Sequence, residues 1–228
     1  MDNENTHEIK YKIKEILKMS DFTYEENCTN ALEYLEWDNL WFENAPEKNA
    51  DRVLVIGDSI SCGYRRIITE LAGGRYFVDG IGTSKAVDNP SFIPLIEYFT
   101  SQITNIKVIL INNGLHGAHL SVDDYEKHLS GLVEYLKNKY TYSKLVMVTT
   151  TPTRNAQNLN EYGNNYERIL DLNRRALKIA YKYGSAVCDL FSVIKNNPEY
   201  YVNDGVHLNG DGYTALAKEC SRIISELI

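Results

Sequence analysis

The chain carries an uninterrupted apolar run, Val53-Leu54-Val55-Ile56, at the head of a regular alternation of short apolar runs and helical stripes. That alternation restricts the possible architecture more than any other feature. Four branched residues with no polar interruption suit a strand buried on both faces. Four further runs follow: Tyr76-Phe77-Val78, Val108-Ile109-Leu110-Ile111, Leu145-Val146-Met147-Val148 and Ala186-Val187-Cys188. Between them, apolar residues recur at helical spacing, as in Phe92, Leu95, Ile96, Phe99 and Ile103, or Tyr125, Leu129, Leu132, Val133 and Leu136. A long stripe from Ile169 to Tyr183 and a final one from Tyr213 to Leu227 complete the series. Strands that alternate with helices predict crossover units and a parallel sheet, and right-handed crossovers put helices on both faces. In such sheets ligands bind beyond the carboxyl ends of the strands. Ser59, the loop after Val78 and the segment 112–116 are therefore expected to converge on one edge.

The first fifty residues read differently. Ile9, Ile13, Ile16 and Leu17 mark a helix over residues 7–18, an aromatic cluster follows at Trp37-Asp38-Asn39-Leu40-Trp41-Phe42, and a polar break runs from Pro46 to Ala50. The expectation is an N-terminal extension, residues 1–50, packed on a main domain of residues 51–228. Trp37 and Trp41 are read as its anchors, with ligand contact as the alternative.

Composition removes several function classes. Of 228 residues, 43% are hydrophobic, too many for a disordered chain. The formal charge of −7 and the absence of a basic cluster argue against a nucleic-acid partner. No apolar run approaches the roughly 18 residues of a membrane span. The acidic start Met1-Asp2-Asn3-Glu4-Asn5 is unlike a signal peptide, so a cytoplasmic location is expected, and Asn27-Cys28-Thr29 is read as a coincidental glycosylation pattern. Cys28, Cys62, Cys188 and Cys220 match neither zinc nor redox spacings and are expected as free thiols.

Two short segments carry chemistry. Gly57-Asp58-Ser59 follows the first apolar run, where a rigid sheet can hold a serine at a corner. Asp204-Gly205-Val206-His207 supplies an acid and a base three residues apart, and a serine hydroxyl becomes a nucleophile when a base takes its proton. The bland readings are a helix-capping serine and a turn aspartate. Asn112-Asn113-Gly114-Leu115-His116 leaves the third run with groups able to donate to a developing oxyanion, or merely to shape a turn. His116 and His119 form a bare His-x-x-His with no third ligand nearby, so no metal is expected, nor any cofactor. Gly80-Ile81-Gly82-Thr83-Ser84 lacks the third glycine of a dinucleotide loop. Arg154 leaves the fourth run toward the same edge, either to contact substrate or as a solvated loop residue. The polar stretch 155–165 after it is a candidate mobile lid.

These blocks, taken in order over residues 52–228, resemble the SGNH, or GDSL-type, hydrolases. The resemblance implies Ser59 as nucleophile and Asp204 and His207 as the other members of its triad. It implies oxyanion donors from Ser59, from Gly82 (or Thr83 or Ser84), and from a third block that departs from the usual Gly-x-Asn-Asp. There His116 stands at the expected asparagine, with Asn113 as a substitute. The implied fold is a three-layer α/β/α sandwich with a five-stranded, flavodoxin-like parallel sheet, here with an N-terminal helical extension. The implied reaction is hydrolysis of a small acyl ester, O-acetyl groups on carbohydrate being a common case, through an acyl-serine intermediate. An acyltransferase and a catalytically silent binding module on the same fold are the alternatives. The expected partner is a small-molecule or carbohydrate ester.

Overall fold

The computed structural model describes residues 32–228. The helix expected over residues 7–18, the Asn27-Cys28-Thr29 pattern and Cys28 lie outside them. In chain order the elements are β1 (Asp38–Trp41), β2 (Arg52–Gly57), α1 (Ser59–Ala72), β3 (Phe77–Thr83), α2 (Phe92–Thr100), β4 (Ile106–Ile111) and α3 (Val122–Lys139). They continue as β5 (Lys144–Val148), β6 (Arg154–Asn155), β7 (Asn158–Tyr162), α4 (Tyr166–Tyr183), β8 (Ala186–Cys188), α5 (Leu190–Ile194) and α6 (Gly210–Ser225).

The central sheet runs β1-β3-β2-β4-β5-β8. Five of its strands are parallel. The pleat of β2 divides the core: Val53 and Val55 face α1, α5 and α6, whereas Leu54 and Ile56 face α2, α3 and α4. Both sides are covered by apolar side chains, which is why β2 reads as a continuous apolar run. Because β3 and β4 flank β2 on opposite sides, the chain changes winding direction there. The crevice at the carboxyl end of β2 is thus the place where an open α/β sheet binds ligands. Among the described residues no helix is long and apolar enough to cross a membrane.

Three features differ from the sequence expectation. First, the sheet has a sixth strand. β1 pairs antiparallel with β3, Asp38 opposite Thr83 and Trp41 opposite Gly80, so this part of the extension belongs to the sheet. Second, the strand expected at Tyr76–Val78 continues to Thr83. Its glycines, which in the sequence look like loop signals, answer to packing. A Cβ on Gly80 would lie 2.6 Å from Arg65 Cδ, and one on Gly82 would lie 2.2 Å from Cys62 Sγ, both on α1. Third, the stretch after Arg154, where no strand was expected, forms the β6–β7 hairpin.

The chain before β2 is fastened by a buried ion pair. Arg52 Nη1 lies 3.2 Å from Asp79 Oδ1, and Arg52 Nη2 donates to the carbonyls of Asn44 and Glu47 at 3.0 and 2.7 Å. Asp79 also accepts the Glu43 amide at 2.9 Å. Trp41 completes the anchorage: its indole donates to Glu43 Oε2 at 2.7 Å, and the guanidinium groups of Arg65 and Arg66 lie 5.6 and 5.1 Å from its ring.

Candidate active site

Ser59 is the first residue of α1, directly after the carboxyl end of β2. The corner is tight: a Cβ on Gly57 would meet Ser61 Cβ at 2.8 Å. Asp58 caps the helix, its Oδ1 accepting the Ile60 amide at 2.9 Å. The capping is thus done by the aspartate, which leaves the Ser59 hydroxyl free for another partner. The Ser59 amide, at the helix start, has no acceptor within the helix. The second carboxylate oxygen of Asp58 is buried with no hydrogen-bond partner among the described residues. Burial raises the Asp58 pKa, and the charge of nearby His116 offsets part of that rise.

The partner is His207. Its Nε2 lies 2.8 Å from Ser59 Oγ, and its Nδ1 lies 2.7 Å from Asp204 Oδ2. The other oxygen of Asp204 accepts the amides of Val206 and His207, each at 2.8 Å, so acid and base sit in one turn closed on itself. Burial alone would raise the Asp204 carboxyl, but the bonds from the His207 ring and these two amides outweigh it and hold it below the usual carboxylate range. Asp204 therefore accepts from Nδ1 as an anion, which leaves the lone pair on Nε2 directed at the serine proton. The turn requires Gly205, at φ +70, where a Cβ would come within 2.3 Å of the Arg154 carbonyl. Arg154 in turn donates its amide to the Gly205 carbonyl at 2.6 Å.

These groups open into a cleft of about 370 Å³. Trp37, Leu115 and Val206 give it apolar walls, and His116, Thr153 and Asn165 bring polar groups to the rim beside Ser59 and His207. The Thr153 hydroxyl donates to Asn165 Oδ1. A larger hollow of about 540 Å³, lined by residues 103–107 and 139–143 among others, sits at the amino edge of the sheet and holds no paired nucleophile and base.

The structure brings together Ser59, Asp204, His207 and His116, keeps Gly82 within the sheet beside Gly57, and directs Asn113 and Arg154 elsewhere. Asn113 is buried and its amide donates to the Lys85 carbonyl at 2.7 Å; it ties two loops together and does not line the cleft. Gly82 lies inside β3 between Gly57 and Asn39, not in a loop. Of the alternatives beside it, the Ser84 amide is taken by the Trp37 carbonyl at 3.1 Å. Arg154 is buried away from the cleft. Its guanidinium donates to the Lys195 carbonyl and lies 4.3 Å from the Tyr162 ring, so it braces the hairpin instead of reaching substrate. His119 pairs with Asp88 at 2.8 Å while His116 faces Trp37, so the two histidines do not share a site. Sequence reasoning missed Thr153 and Asn165, whose approach depends on the hairpin between them. It also read Trp37 as an anchor.

No protein-family model matches the chain, and no curated protein matches it. Solved structures do. A carbohydrate acetylesterase from Sinorhizobium meliloti superposes with a TM-score of 0.64 at 14% identity, over 78% of this chain and 100% of the other. A GDSL-like lipase from Bacteroides thetaiotaomicron gives 0.61 at 20% identity, over 78% and 89%. An acetylxylan esterase from Geobacillus stearothermophilus gives 0.60 at 19% identity, over 78% and 96%. With its parallel sheet, its flanking helix layers and these neighbours, the chain has the SGNH, or GDSL-type, hydrolase fold.

Proposed function

We propose that this protein is a serine carboxylic ester hydrolase that removes a small acyl group, with O-acetyl groups on carbohydrate as its substrate class. The observation that carries the reading is the continuous relay from Asp204 through His207 to Ser59, with contacts of 2.7 and 2.8 Å. In this reading His207 Nε2 takes the Ser59 proton as Oγ attacks the ester carbonyl. The tetrahedral intermediate expels the alcohol, which receives that proton from His207. Water then enters, gives a proton to Nε2 and attacks the acyl-serine carbonyl. The acid leaves, and the proton returns to Ser59 Oγ. Asp204 stays ionised throughout, fixing the ring and stabilising its cationic form.

The oxyanion would be met by the Ser59 amide at the start of α1, where helix geometry favours negative charge, and by a donor from His116. Gly82, at the carboxyl end of β3, is a further candidate through its backbone. Support for a small acyl group comes from the modest cleft, and support for a carbohydrate comes from the acetylesterases among the structural neighbours. The test is hydrolysis of 4-nitrophenyl acetate by the wild type and by Ser59→Ala. The reading expects turnover by the first and its near-complete loss in the second; no turnover by the wild type, or equal turnover by both, rejects it.

A further inference from the structure

Trp37 differs from Trp41 in having its ring in the cleft. Its backbone is held on both sides of the peptide unit: its amide donates to Ser84 Oγ at 2.9 Å, and its carbonyl accepts the Ser84 amide at 3.1 Å. Just upstream, Glu36 Oε2 accepts the Ser84 hydroxyl at 3.0 Å, and Glu33 Oε1 accepts the Gly117 amide at 2.6 Å. The strap from Glu33 to Trp41 is therefore tied to the segments that follow β3 and β4. The indole stands edge-on to His116, with ring centres 6.2 Å apart at 72°, and lines the same cleft as Ser59. Among the described residues its Nε1 has no hydrogen-bond partner, unlike that of Trp41. Asn165 completes the arrangement. Because the Thr153 hydroxyl donates to its Oδ1, its amide nitrogen keeps both hydrogens for a ligand in the cleft it lines.

We infer that Trp37 is the specificity-determining residue of this cleft, a platform for the sugar ring that carries the ester, with Asn165 donating to a ring hydroxyl. A pyranose presents an apolar face of C–H groups and a polar rim. An indole on a fixed backbone with a nearby amide donor matches both. Methyl or longer alkyl esters would gain from the indole alone, because they bring no hydroxyl to accept from the Asn165 amide nitrogen. The inference rests on the esterase reading above and names the alcohol half of its substrate.

The test compares kcat/KM for acetylated xylotetraose with kcat/KM for 4-nitrophenyl acetate in the wild type, Trp37→Ala, Trp37→Phe and Asn165→Ala. Trp37→Ala is expected to lower the ratio about tenfold or more, chiefly through KM for the sugar ester, and Trp37→Phe to restore part of it. A ratio that stays at the wild-type value in Trp37→Ala overturns the inference, whether both activities fall together or neither does. Calorimetry separates this from the fate of the esterase reading. Ser59→Ala should bind acetylated xylotetraose, and Ser59→Ala with Trp37→Ala should bind it about tenfold more weakly. Failure of the wild type to cleave either ester rejects the esterase reading. Failure of Ser59→Ala to bind the sugar, or equal binding by both proteins, rejects the platform.

Discussion

The two walls of the cleft are built in contrasting ways. The reacting wall is local and inherited from the sheet: Ser59 sits where β2 becomes α1, and Asp204 and His207 share one tight turn. The facing wall is assembled from a distance. Trp37 arrives on a strap whose strand β1 is added antiparallel to the outer edge of β3, and it is held by Ser84, by Gly117 and by a buried ion pair further along. The proposed chemistry and the proposed selectivity therefore rest on separate structural supports. One can be weakened without dismantling the other.

The largest effects should come from the reacting wall. Ser59→Ala or His207→Ala is expected to lower kcat for 4-nitrophenyl acetate about 10⁴-fold or more, since triad members act as a unit. Asp204→Asn should cost less, about 10²–10⁴-fold, because this carboxylate is half-exposed and solvent screens the charge it contributes. His116→Ala tests whether the imidazole serves the oxyanion; a loss of about 10²-fold in kcat is expected, and an unchanged kcat assigns the hole to backbone amides alone. Asn113→Ala should behave oppositely. It strands the Lys85 carbonyl, so thermal denaturation should show a loss of about 1–3 kcal/mol with little change in kcat.

The smallest effect concerns the anchorage of the strap. Burial pushes the Asp79 carboxyl up to about 6, although the Glu43 amide and Arg52 pull the other way. The folded protein thus keeps this proton over a range in which the unfolded chain has already lost it. The contribution of Asp79 favours folding fully below its ordinary value of 3.8 and is lost as pH rises through about 6. Denaturation midpoints followed across that window should fall with a slope of at most about 1.4 kcal/mol per pH unit from this group. Asp79→Asn should flatten the slope; an identical slope in the variant would show that another group is responsible.

Legibility in the sequence follows the same division. Ser59, Asp204 and His207 were readable because each lies in a segment of three or four residues whose spacing already fixes its geometry. The parallel sheet was readable because β2, β4 and β5 are apolar through their buried stretches, whereas β3, which carries Asp79 and two glycines, reads as a strand only to Val78. Gly82 reads as a loop residue in the sequence because a glycine that makes room for Cys62 looks the same there as a glycine that makes a turn. Asn113 was misread because its acceptor, the Lys85 carbonyl, comes from another loop 28 residues away. Arg154 pointed to the right edge of the sheet, but the Lys195 carbonyl and the Tyr162 ring claim its side chain. Trp37 and Trp41 lie four residues apart in one aromatic cluster, and only the pairing of β1 with β3 decides which ring anchors and which meets the cleft.

The proposed chemistry depends on Ser59 being a nucleophile activated by His207. Intact-mass and peptide analysis after treatment with a fluorophosphonate tests it most directly, because the probe bonds covalently to an activated serine whatever the natural ester is. One adduct per chain is expected, located at Ser59, formed rapidly by the wild type, absent in Ser59→Ala and strongly slowed in His207→Ala. No adduct on the wild type, or an adduct that persists at full rate when His207 is removed, would contradict it.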